Sequence, residues 1–303
     1  MSEPPRPRVV ALGGGHGLAV VLRAVRTFAS DITAIVSVAD DGGSSGRLRR
    51  ELDVPAPGDL RKCLVALAEP GNRWAEAFEH RFDGGDLDGH AFGNLVLVGL
   101  AEAFGDFTAA IDEAAGLLGA VGRVRPATTE PVVLKAHVDG GGVDDAVEGQ
   151  VAVANAPGRI RRVEIVPSDA QAHPDAVAAI AAADVVVLAP GSLFTSLLPV
   201  LVVPELRDAI AATAAMVVQV CNLRRQVPET QELDGTDHLR AVLDHGGRVD
   251  YFVHEGGGSL ACDADAITAL GVRPIAAEVG DRPGTAHDPA RLAKVLQDLL
   301  ESG

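Results

Sequence analysis

Short apolar runs alternate with amphipathic stretches from the start of the chain. Residues 8–12 and 32–38 are apolar and β-branched almost throughout, and between them apolar side chains recur at helical spacing from Leu18 to Phe28. Runs that are apolar on both faces are typical of buried parallel strands, whereas a spacing of three to four residues is typical of an amphipathic helix. The pattern therefore predicts a β-α-β unit at the beginning of the fold.

The same alternation returns in the C-terminal half of the chain. Strand-like runs lie there at 184–190, 216–223 and 249–255, and helix-like stretches lie at 175–183, 205–215, 237–246 and 290–300. At least five strand–helix alternations predict an α/β fold with a doubly wound, mostly parallel sheet. Ligands of such sheets bind beyond the carboxyl ends of the strands, and each unusual loop of this sequence follows a predicted strand.

The middle of the chain follows a different pattern. Residues 71–120 are mainly helix-like with a polar break at 84–89, and residues 123–166 contain strand-like runs around a polar turn, the runs at 132–138, 150–155 and 161–166 and the turn at 139–145. Short β-branched runs separated by glycine-rich turns are typical of hairpins, so residues 123–166 are expected to form a hairpin-rich insertion or an extra sheet. We expect a single domain over residues 1–303 that carries an inserted helical and β-hairpin region at 71–166.

Composition excludes several classes of protein. The 303 residues carry a net charge of −16, and aromatic residues make up 3%. A nucleic-acid-binding surface needs clustered cations, and single-strand binding needs aromatic platforms, so we expect no nucleic-acid partner. The acidity does not exclude a small phosphorylated ligand, because backbone N–H groups and a few arginines can hold an anion locally.

We expect a cytoplasmic protein without a membrane span. The most apolar stretch, 184–204, is broken by prolines and a glycine, and the N-terminal residues lack the apolar segment of a signal peptide. The three cysteines, Cys63, Cys221 and Cys262, have neither CxxC nor zinc-ligand spacing. They indicate reduced, mostly buried thiols.

A glycine-rich turn between the first predicted strand and helix is a candidate anion site. Its residues are Gly13, Gly14, Gly15, His16 and Gly17. Glycine lets the backbone approach a phosphate, and the N–H groups and dipole of a helix N-terminus favour an anion by roughly 0.3–2 kcal/mol. The spacing fits neither a Walker A loop nor a GxGxxG fingerprint, and the alternative is a tight turn without a ligand. We favour a phosphate site.

A second polar loop follows the second predicted strand. Its candidate residues are Asp40, Asp41, Gly42, Ser44, Ser45 and Arg47. An acidic residue at this place could bind ribose hydroxyls, and two adjacent carboxylates could instead hold Mg²⁺ through oxygen ligands. The serines and the arginine add donors for phosphate. The alternative is a capped turn with a solvated charge pair.

A third loop repeats the logic of the first. The candidate residues after the strands at 184–190 and 216–223 are Gly191, Ser192, Thr195, Ser196 and Asn222. Hydroxyl groups at a helix start fit a phosphate or a sugar, although N-capping by Ser192 would need no ligand. We expect these residues to share one crevice, because the carboxyl ends of parallel strands meet at one edge of a sheet.

Helical residues supply further candidates. Asp59 is a predicted N-cap, Arg61 could reach a phosphate, and His90 and Asn94 are four residues apart, which predicts a shared helix face. For Arg61 the alternative is a surface cation, and for His90 it is a structural role. The sequence has no GxSxG elbow and no catalytic-triad order, so hydrolase chemistry has little support.

Seven motifs in chain order resemble the YvcK family of the CofD-like superfamily. They span about residues 8–300, and the motifs are GGGHG, VADDGGSSGRLR, PGDLRKCLVALA, GHAFGNLVL, ADVVVLAPGSLFTSLLPVL, CNLRRQVPET and HDPARLAKVL. The resemblance implies a Rossmann-like fold and a cytoplasmic regulatory factor that binds UDP-N-acetylglucosamine. It also implies a role in gluconeogenic growth, cell shape and the balance of peptidoglycan precursors. A homodimer with an unidentified protein partner is the expected assembly.

The superfamily also implies an alternative. CofD-like transferases pass a phospholactyl-type group from a GDP-activated donor to a deazaflavin alcohol, with Mg²⁺. In that case Asp40 and Asp41 would hold the metal. The scarcity of aromatic residues counts against a flavin-like acceptor, and a NAD enzyme has less support because the fingerprint spacing is absent. We expect a ligand-binding regulator without a catalytic residue, with the transferase as the alternative.

The chain departs from the family pattern at several positions. His16 stands where many relatives have Thr, Phe194 replaces Tyr, Val200 replaces Asn, and Ala286 stands where some relatives carry Arg. The segment RRQVPET, residues 224–230, differs from the more usual MTQPGET. These departures bear on the ligand preference rather than on the fold.

Overall fold

The strands of the protein fall into two sheets. The computed structural model describes residues 6–52, 54–139, 146–282 and 284–302. Ten strands occur in those residues: β1 Arg8–Gly13, β2 Asp31–Val36, β3 Arg123–Pro126, β4 Val133–Val138, β5 Ala146–Glu148, β6 Ile160–Val166, β7 Val185–Leu188, β8 Met216–Val220, β9 Tyr251–Glu255 and β10 Arg273–Ala277.

Helices connect most of the strands. Their bounds are α1 Gly15–Val25, α2 Gly43–Leu52, α3 Gly58–Leu67, α4 Arg73–Glu79, α5 Phe92–Phe104, α6 Phe107–Leu118, α7 Gln150–Ala154, α8 Pro174–Ala182, α9 Leu198–Leu201, α10 Pro204–Ala212, α11 Gly235–Asp244, α12 Ala264–Ala269 and α13 Pro289–Ser302. A π-helical turn, Leu193–Leu197, leads into α9. Helix α1 packs against α3 and α13, and α8 packs against α10. Within the described ranges, none of the helices has the length and apolarity that crossing a membrane requires.

The larger sheet has its topological switch point beside β1. Its order is β10-β9-β8-β7-β1-β2-β3, and every neighbouring pair in it is parallel. The chain runs outward from β1 through β2 to β3, and later from β7 through β8 and β9 to β10 on the other side. The predicted doubly wound parallel sheet is therefore confirmed. Ligand crevices of such sheets lie where the strand order reverses, here between the ends of β1 and β7.

Burial of the central strands explains their sequence pattern. Residues 9–13 of β1, 32–36 of β2 and all of β7 are buried. Helices or loops cover such strands on both sides, so no polar alternation remains in them. Each fully buried aliphatic side chain stabilises the fold by about 1.5–3 kcal/mol relative to exposure.

The predicted insertion at 71–166 is interrupted by a strand of the main sheet. Strand β3 pairs in parallel with β2 and forms the sheet edge, so the expectation of a hairpin region beginning at residue 123 needs correction there. The separate sheet starts at β4 and has the antiparallel order β5-β4-β6. The single-domain assignment stays a prediction. Most of the predicted turn at 139–145 (residues 140–145) and residues 1–5 lie outside the described residues.

The run at 150–155 is another correction. The sequence predicts a strand there, but residues 150–154 form the short helix α7. The Asp41 carboxylate accepts a hydrogen bond from Val151 N at the start of this helix, at 2.9 Å. This contact joins residues 110 positions apart, so the local pattern of small apolar residues did not contain it.

Two elements near the C-terminus escape the sequence pattern. Helix α12 and strand β10 are not predicted by any clear periodicity. Strand β10 is the other edge of the sheet, and its residues are half-buried or exposed. It also contains Pro274, which edge strands tolerate because they have one unpaired side. An edge strand of this kind lacks the continuous apolar run that marks the central strands.

Replacing Gly17 by Ala should destabilise the fold. A Cβ at this position would lie 1.8 Å from the Pro190 carbonyl oxygen, so one of the two backbones must move. We expect the free energy of unfolding to fall by about 1–3 kcal/mol or more, as in other overpacked sites. The control is Gly99→Ala in α5, where nothing lies within 4 Å of the added Cβ. That variant should gain about 0.5–1 kcal/mol. Denaturant unfolding of the two variants measures the difference. Equal stabilities of Gly17→Ala and Gly99→Ala would contradict the close contact between Gly17 and Pro190.

Acid should destabilise the protein through His238 in α11. The side chain is 2% exposed, and burial lowers its pKa to about 4, against the opposing effect of Asp237 and Asp234. The pKa in the folded state lies below the unfolded value of about 6.5, so the contribution to stability is present above pH 6.5 and is lost as the pH falls toward 4.

The matching experiment compares His238→Leu with the unsubstituted protein. Between pH 6.5 and 4 the variant should lose about 3 kcal/mol less unfolding free energy, which is the size of the pKa difference converted to energy. His80→Gln is the control, because His80 is exposed. Identical pH profiles of stability for the His238 variant and the unsubstituted protein would refute this role of His238.

Candidate functional site

The loops after β1 and β7 meet at the switch point of the sheet. Gly17, in the first turn of α1, lies directly against the Pro190 carbonyl. Gly13 and Gly15 adopt φ values of +146° and +61°, which residues other than glycine rarely adopt. The first and third predicted loops therefore share one place, and the glycines are there for conformation and close approach.

The first turn of α1 opens toward this place with free backbone donors. Gly14 is the N-cap without a side-chain cap, and the first turn contains no acidic residue. Among the described residues no acceptor bonds to the N–H groups of Gly15, His16 and Gly17. The N-terminus of an eleven-residue helix with such donors is an anion-binding arrangement.

Asp59 lies on one side of the turn, and this corrects its predicted role. Pro57 is the N-cap of α3, so Asp59 does not cap the helix. Its buried carboxylate faces Gly14 instead: a Cβ on Gly14 would lie 2.5 Å from Asp59 Oδ2 and 3.2 Å from Ser196 Cβ. Lys62 Nζ donates to Asp59 Oδ1 at 3.0 Å. Residues from three loops thus converge on Gly14.

The adjacent carboxylates of the second loop point to different partners. Asp40 Oδ1 accepts from Gly42 N at 2.9 Å, whereas Asp41 Oδ1 accepts from Val151 N. Burial raises the pKa of Asp40, and the nearby negative charge of Asp59 raises it further. Asp40 thus lies beside the start of α3, where a Cβ on Gly58 would be 3.4 Å from its Oδ2, whereas Asp41 supports α7.

Ser44, Asn94 and Arg61 form a buried polar chain with His90. Ser44 Oγ lies 3.0 Å from His90 Nδ1 and accepts from Asn94 Nδ2, and Arg61 Nε donates to Asn94 Oδ1 at 3.1 Å. Arg61 is 3% exposed and is neither a surface cation nor placed at the glycine turn. Its Nη1 donates to Glu79 Oε1 at 2.6 Å. These hydrogen bonds fix the second loop in place through Ser44.

The shared helix face predicted for His90 and Asn94 is also corrected. Helix α5 begins at Phe92, so His90 precedes it. The two side chains still meet because both bind Ser44. In the same loop, Ser45 and Asp40 both lie beside Gly58, and Arg47 Nη2 donates to the carbonyl of Asp88 at 2.6 Å. Arg47 is thereby tied to the polar loop at 84–89.

At the helix start in the third loop, the backbone N–H groups already bind a carboxylate of the protein itself, that of Glu229. Glu229 Oε1 accepts from Phe194 N at 2.7 Å and from Thr195 N at 3.2 Å, and Thr195 Oγ1 donates to Glu229 Oε2 at 3.2 Å. Burial raises the pKa of Glu229. Ser192 makes no capping bond. N-capping by Ser192, the alternative to a ligand in this loop, therefore does not occur, and a phosphate or sugar at the Thr195 hydroxyl would have to share it with Glu229.

Pro199 leaves one carbonyl of the π-helical turn without its helical donor. Proline has no N–H to donate to the carbonyl four residues earlier, which is that of Thr195. Gln150 Nε2 donates to this carbonyl instead, at 3.0 Å. Single π-turns of this kind occur often at functional sites. The Gln150 side chain of α7 thus supplies the hydrogen-bond donor for the Thr195 carbonyl in the third loop.

Asn222 fixes Gly191 at the end of β7. Its Oδ1 accepts from Gly191 N and its Nδ2 donates to Gly191 O, both at 2.7 Å. Gln226 Nε2 donates to Ser192 Oγ at 3.2 Å. Asn222 therefore joins the predicted crevice, with both sides of its amide engaged by one backbone unit.

A cleft of about 280 Å³ opens beside Asn222 and the first turn of α1. Its lining carries two exposed arginines, Arg224 and Arg225, and two imidazoles, His16 and His287. Burial and the Lys62 ammonium lower the pKa of His16, which keeps its ring neutral at pH 7. Arg224 Nη2 donates to Thr285 O at 2.8 Å, next to Ala286. Positive charge thus borders the cleft in a chain of net charge −16.

Sequence reasoning missed Glu229, Gln226, Gln150 and the cleft arginines as site residues. Gln150 lies in a run predicted as a strand, and residues 224–229 follow β8 without any periodicity. The signal available for Glu229 and the arginines was their position after a strand at the carboxyl edge of the sheet. The partners of these side chains are distant in sequence, so position alone did not assign roles.

A parallel α/β sheet with a glycine-rich crevice at its switch point defines the class of protein, and comparison with known proteins gives the family. The model of the family "2-phospho-L-lactate transferase CofD" matches residues 9–279. The chain belongs to the CofD family and, within it, to the YvcK group of gluconeogenesis factors.

The curated relatives and a solved structure agree with this assignment. The "Gluconeogenesis factor" of Halalkalibacterium halodurans is 44% identical over 80% of this chain and 74% of its own length. That of Bacillus subtilis is 36% identical over 98% of this chain and 99% of its own length. A crystal structure of a UPF0052-family protein from Bacillus halodurans has a TM-score of 0.91 and 38% identity, and the match covers 97% of this chain and 99% of that one.

Removing the Glu229 carboxylate should destabilise the third loop. Glu229→Ala leaves the N–H groups of Phe194 and Thr195 without their acceptor, so the free energy of unfolding should fall by about 1–3 kcal/mol. Glu229→Gln is the matched control, because its amide oxygen can still accept from Phe194 N; its loss should be smaller. Urea unfolding at pH 7 measures both. Equal losses would show that the acceptor is not what stabilises the loop.

Proposed function

We propose that the protein binds a nucleotide sugar, UDP-N-acetylglucosamine, in the crevice between β1 and β7 and acts as a cytoplasmic regulatory factor. The observation that carries the proposal is the unpartnered first turn of α1 beside a cleft bordered by two arginines. Both features favour the diphosphate of such a ligand. The named function of the curated relatives supports a role in growth on gluconeogenic carbon.

Each part of the ligand has matching chemistry in the crevice. The N–H groups of residues 15–17 would hold the diphosphate, with Arg224 as its cationic partner. The half-buried carboxylate of Asp40 and the buried carboxylate of Asp59 are acceptors for sugar or ribose hydroxyls. Arg224 lies next to Ala286, so it can supply the positive charge that some relatives carry at position 286.

The wider role belongs to the same proposal. A binder of an amino-sugar nucleotide is suited to sense the supply of peptidoglycan precursors, which connects ligand binding to cell shape. The homodimer and the regulatory protein partner stay predictions. Binding would act through the loops after β1, β7 and β8, because these three loops surround the cleft.

Calorimetric titration tests the binding proposal. UDP-N-acetylglucosamine should bind in the presence of EDTA and be recovered chemically intact, whereas GDP and NAD should bind more weakly. Arg224→Ala should raise the Kd by about tenfold, since a charge-assisted hydrogen bond contributes about 1.5–3 kcal/mol. Arg240→Ala is the matched control: it removes the same charge from an exposed site on α11 and should leave the Kd unchanged.

The proposal fails if UDP-N-acetylglucosamine neither binds nor raises the melting temperature. It also fails if the two arginine variants weaken binding equally, because that result would indicate net charge rather than the cleft. A titration with UDP alone separates the contribution of the sugar from that of the nucleotide.

The position of Asp40 beside Gly58, the residue before Asp59, favours a second candidate, the CofD-like transferase. The originally expected pair, Asp40 with Asp41, does not fit a shared cation because the two carboxylates bind different elements. In the described parts of the chain no group of three His, Cys, Asp or Glu is arranged for a metal. Mg²⁺, however, is commonly held by one or two carboxylates together with substrate phosphates, and Asp40 and Asp59 fit that mode.

The metal would neutralise phosphate charge of a GDP-activated donor, while the glycine turn would orient that donor. Binding of GDP that requires Mg²⁺ and is lost in Asp40→Asn, but kept in Asp41→Asn, would favour this candidate over the sensor. Binding of UDP-N-acetylglucosamine that persists in EDTA would favour the sensor.

A further inference from the structure

Two cysteines and two histidines gather behind β8, outside the crevice described above. Cys221 directly follows β8, Cys262 lies just before α12, His254 is on β9 and His238 is on α11. A Cβ placed on Gly235 would lie 2.2 Å from Cys262 Sγ and 3.3 Å from Cys221 Sγ. Both sulfur atoms therefore face the same point at the start of α11, and only glycine leaves room for them.

The two thiols differ in access to solvent. Cys221 is 2% exposed, whereas Cys262 is half-buried and its Sγ contacts the Leu260 carbonyl at 3.7 Å. The third cysteine, Cys63, is fully buried in α3. A reagent in solution can thus reach Cys262 first, and Cys221 lies directly behind it.

The surroundings favour a thiolate at Cys262. The neighbouring Cys221 thiol and the positive charge of His254 lower the pKa of Cys262 to about 6, against burial and the carboxylate of Asp234. The same contact with Cys262, together with burial, raises the pKa of Cys221. His238 lies on the other side, with Nδ1 3.9 Å from Cys221 Sγ, and is neutral at pH 7. One thiol is thereby ionised and the other keeps its proton.

We propose that Cys262 is a modification site that reacts with peroxides, and that Cys221 is the thiol that resolves the product. The thiolate of Cys262 attacks one oxygen of a hydroperoxide, the O–O bond breaks, and the other oxygen leaves with a proton as water or an alcohol. Cys262 becomes a sulfenic acid. The Cys221 sulfur then attacks the Cys262 sulfur and loses its proton, and hydroxide leaves as water. The two cysteines are oxidised to a disulfide by two electrons, and the peroxide is reduced.

This arrangement fits redox chemistry better than metal binding. The described residues contain no group of three His, Cys, Asp or Glu that could hold a metal ion. A low-pKa, accessible cysteine next to a second cysteine is the usual composition of a peroxide-sensitive pair. The disulfide would form one residue from Asn222, whose amide fixes Gly191, and the carbonyl of Cys221 accepts from His287 Nε2 at 3.0 Å. Oxidation would thus act next to the crevice, whether or not UDP-N-acetylglucosamine is its ligand.

Alkylation of the full-length native protein tests the thiolate. Iodoacetamide labelling is followed at each cysteine by peptide mass spectrometry as a function of pH. Cys262 should label with a midpoint near pH 6, while Cys63 and Cys221 stay unlabelled. His254→Gln should move the midpoint of Cys262 upward, because the variant lacks the positive partner. Cys63→Ser is the control and should not change it. A midpoint for Cys262 near the ordinary thiol value of about 8.5 would overturn the proposal.

Treatment with hydrogen peroxide tests the second step. One equivalent should produce a linked peptide that contains Cys221 and Cys262 and has lost two hydrogen atoms, and dithiothreitol should reverse the link. Cys221→Ser should instead accumulate a sulfenic acid on Cys262 that dimedone traps. Cys262→Ser should leave Cys221 reduced. A Cys262 that resists peroxide, or that is oxidised without ever linking to Cys221, would refute the pair.

Discussion

The backbone contact between Gly17 and Pro190 is the constraint on which the site depends. It occurs at the switch point of the sheet, where the chain after β1 and the chain after β7 leave neighbouring strands in opposite directions. Without a side chain at residue 17, the first turn of α1 can lie directly on the carbonyl of the other loop. The free N–H groups of α1, the Asn222 amide and the cleft arginines all take their places relative to this contact.

Carboxylates provide most of the internal support around the contact. The Asp41 carboxylate accepts a hydrogen bond at the start of α7, and the Glu229 carboxylate accepts hydrogen bonds at the start of the π-helical turn. The Asp59 carboxylate packs against Gly14. Glu229 satisfies the N–H groups of the buried residues Phe194 and Thr195, and buried donors without a partner are costly. The acidity of the chain is thus partly structural. Its consequence for function is that the protein itself fills the helix start after β7, whereas among the described residues no acceptor bonds to the N–H groups in the first turn of α1.

The thiol pair behind β8 connects to the same region through the chain itself. Cys221 is followed immediately by Asn222, so the residue that holds Gly191 is covalently attached to the residue that resolves Cys262. The pair and the crevice are different sites with different chemistry, one redox and one anion-binding. Both sites lie at the end of strand β8. A change in the backbone geometry there would therefore move residues of both sites.

The sequence by itself determined the parallel sheet and the glycine-rich turn after its first strand. Continuous apolar runs in β1, β2 and β7 are a direct result of burial on both faces, and glycine at 13, 15 and 17 is required by backbone conformation and close approach, so both can be recognised locally. Edge strand β10 and helix α12 could not be recognised, because exposed edges and short helices carry no such periodicity.

Only the tertiary structure decided where each polar residue of the loops lies. Asp40 and Asp41 are chemically equivalent neighbours in sequence, yet the fold places one carboxylate beside Gly58 and the other on Val151 N. Arg61 and Asn94 are residue types that often bind ligands, but here their side chains hydrogen bond to each other, and Asn94 binds Ser44 of the second loop. Glu229 has no local pattern and fills a helix start that the sequence alone leaves vacant. The reason is the same in each case: the hydrogen-bond partner is dozens of residues away, and only folding selects it.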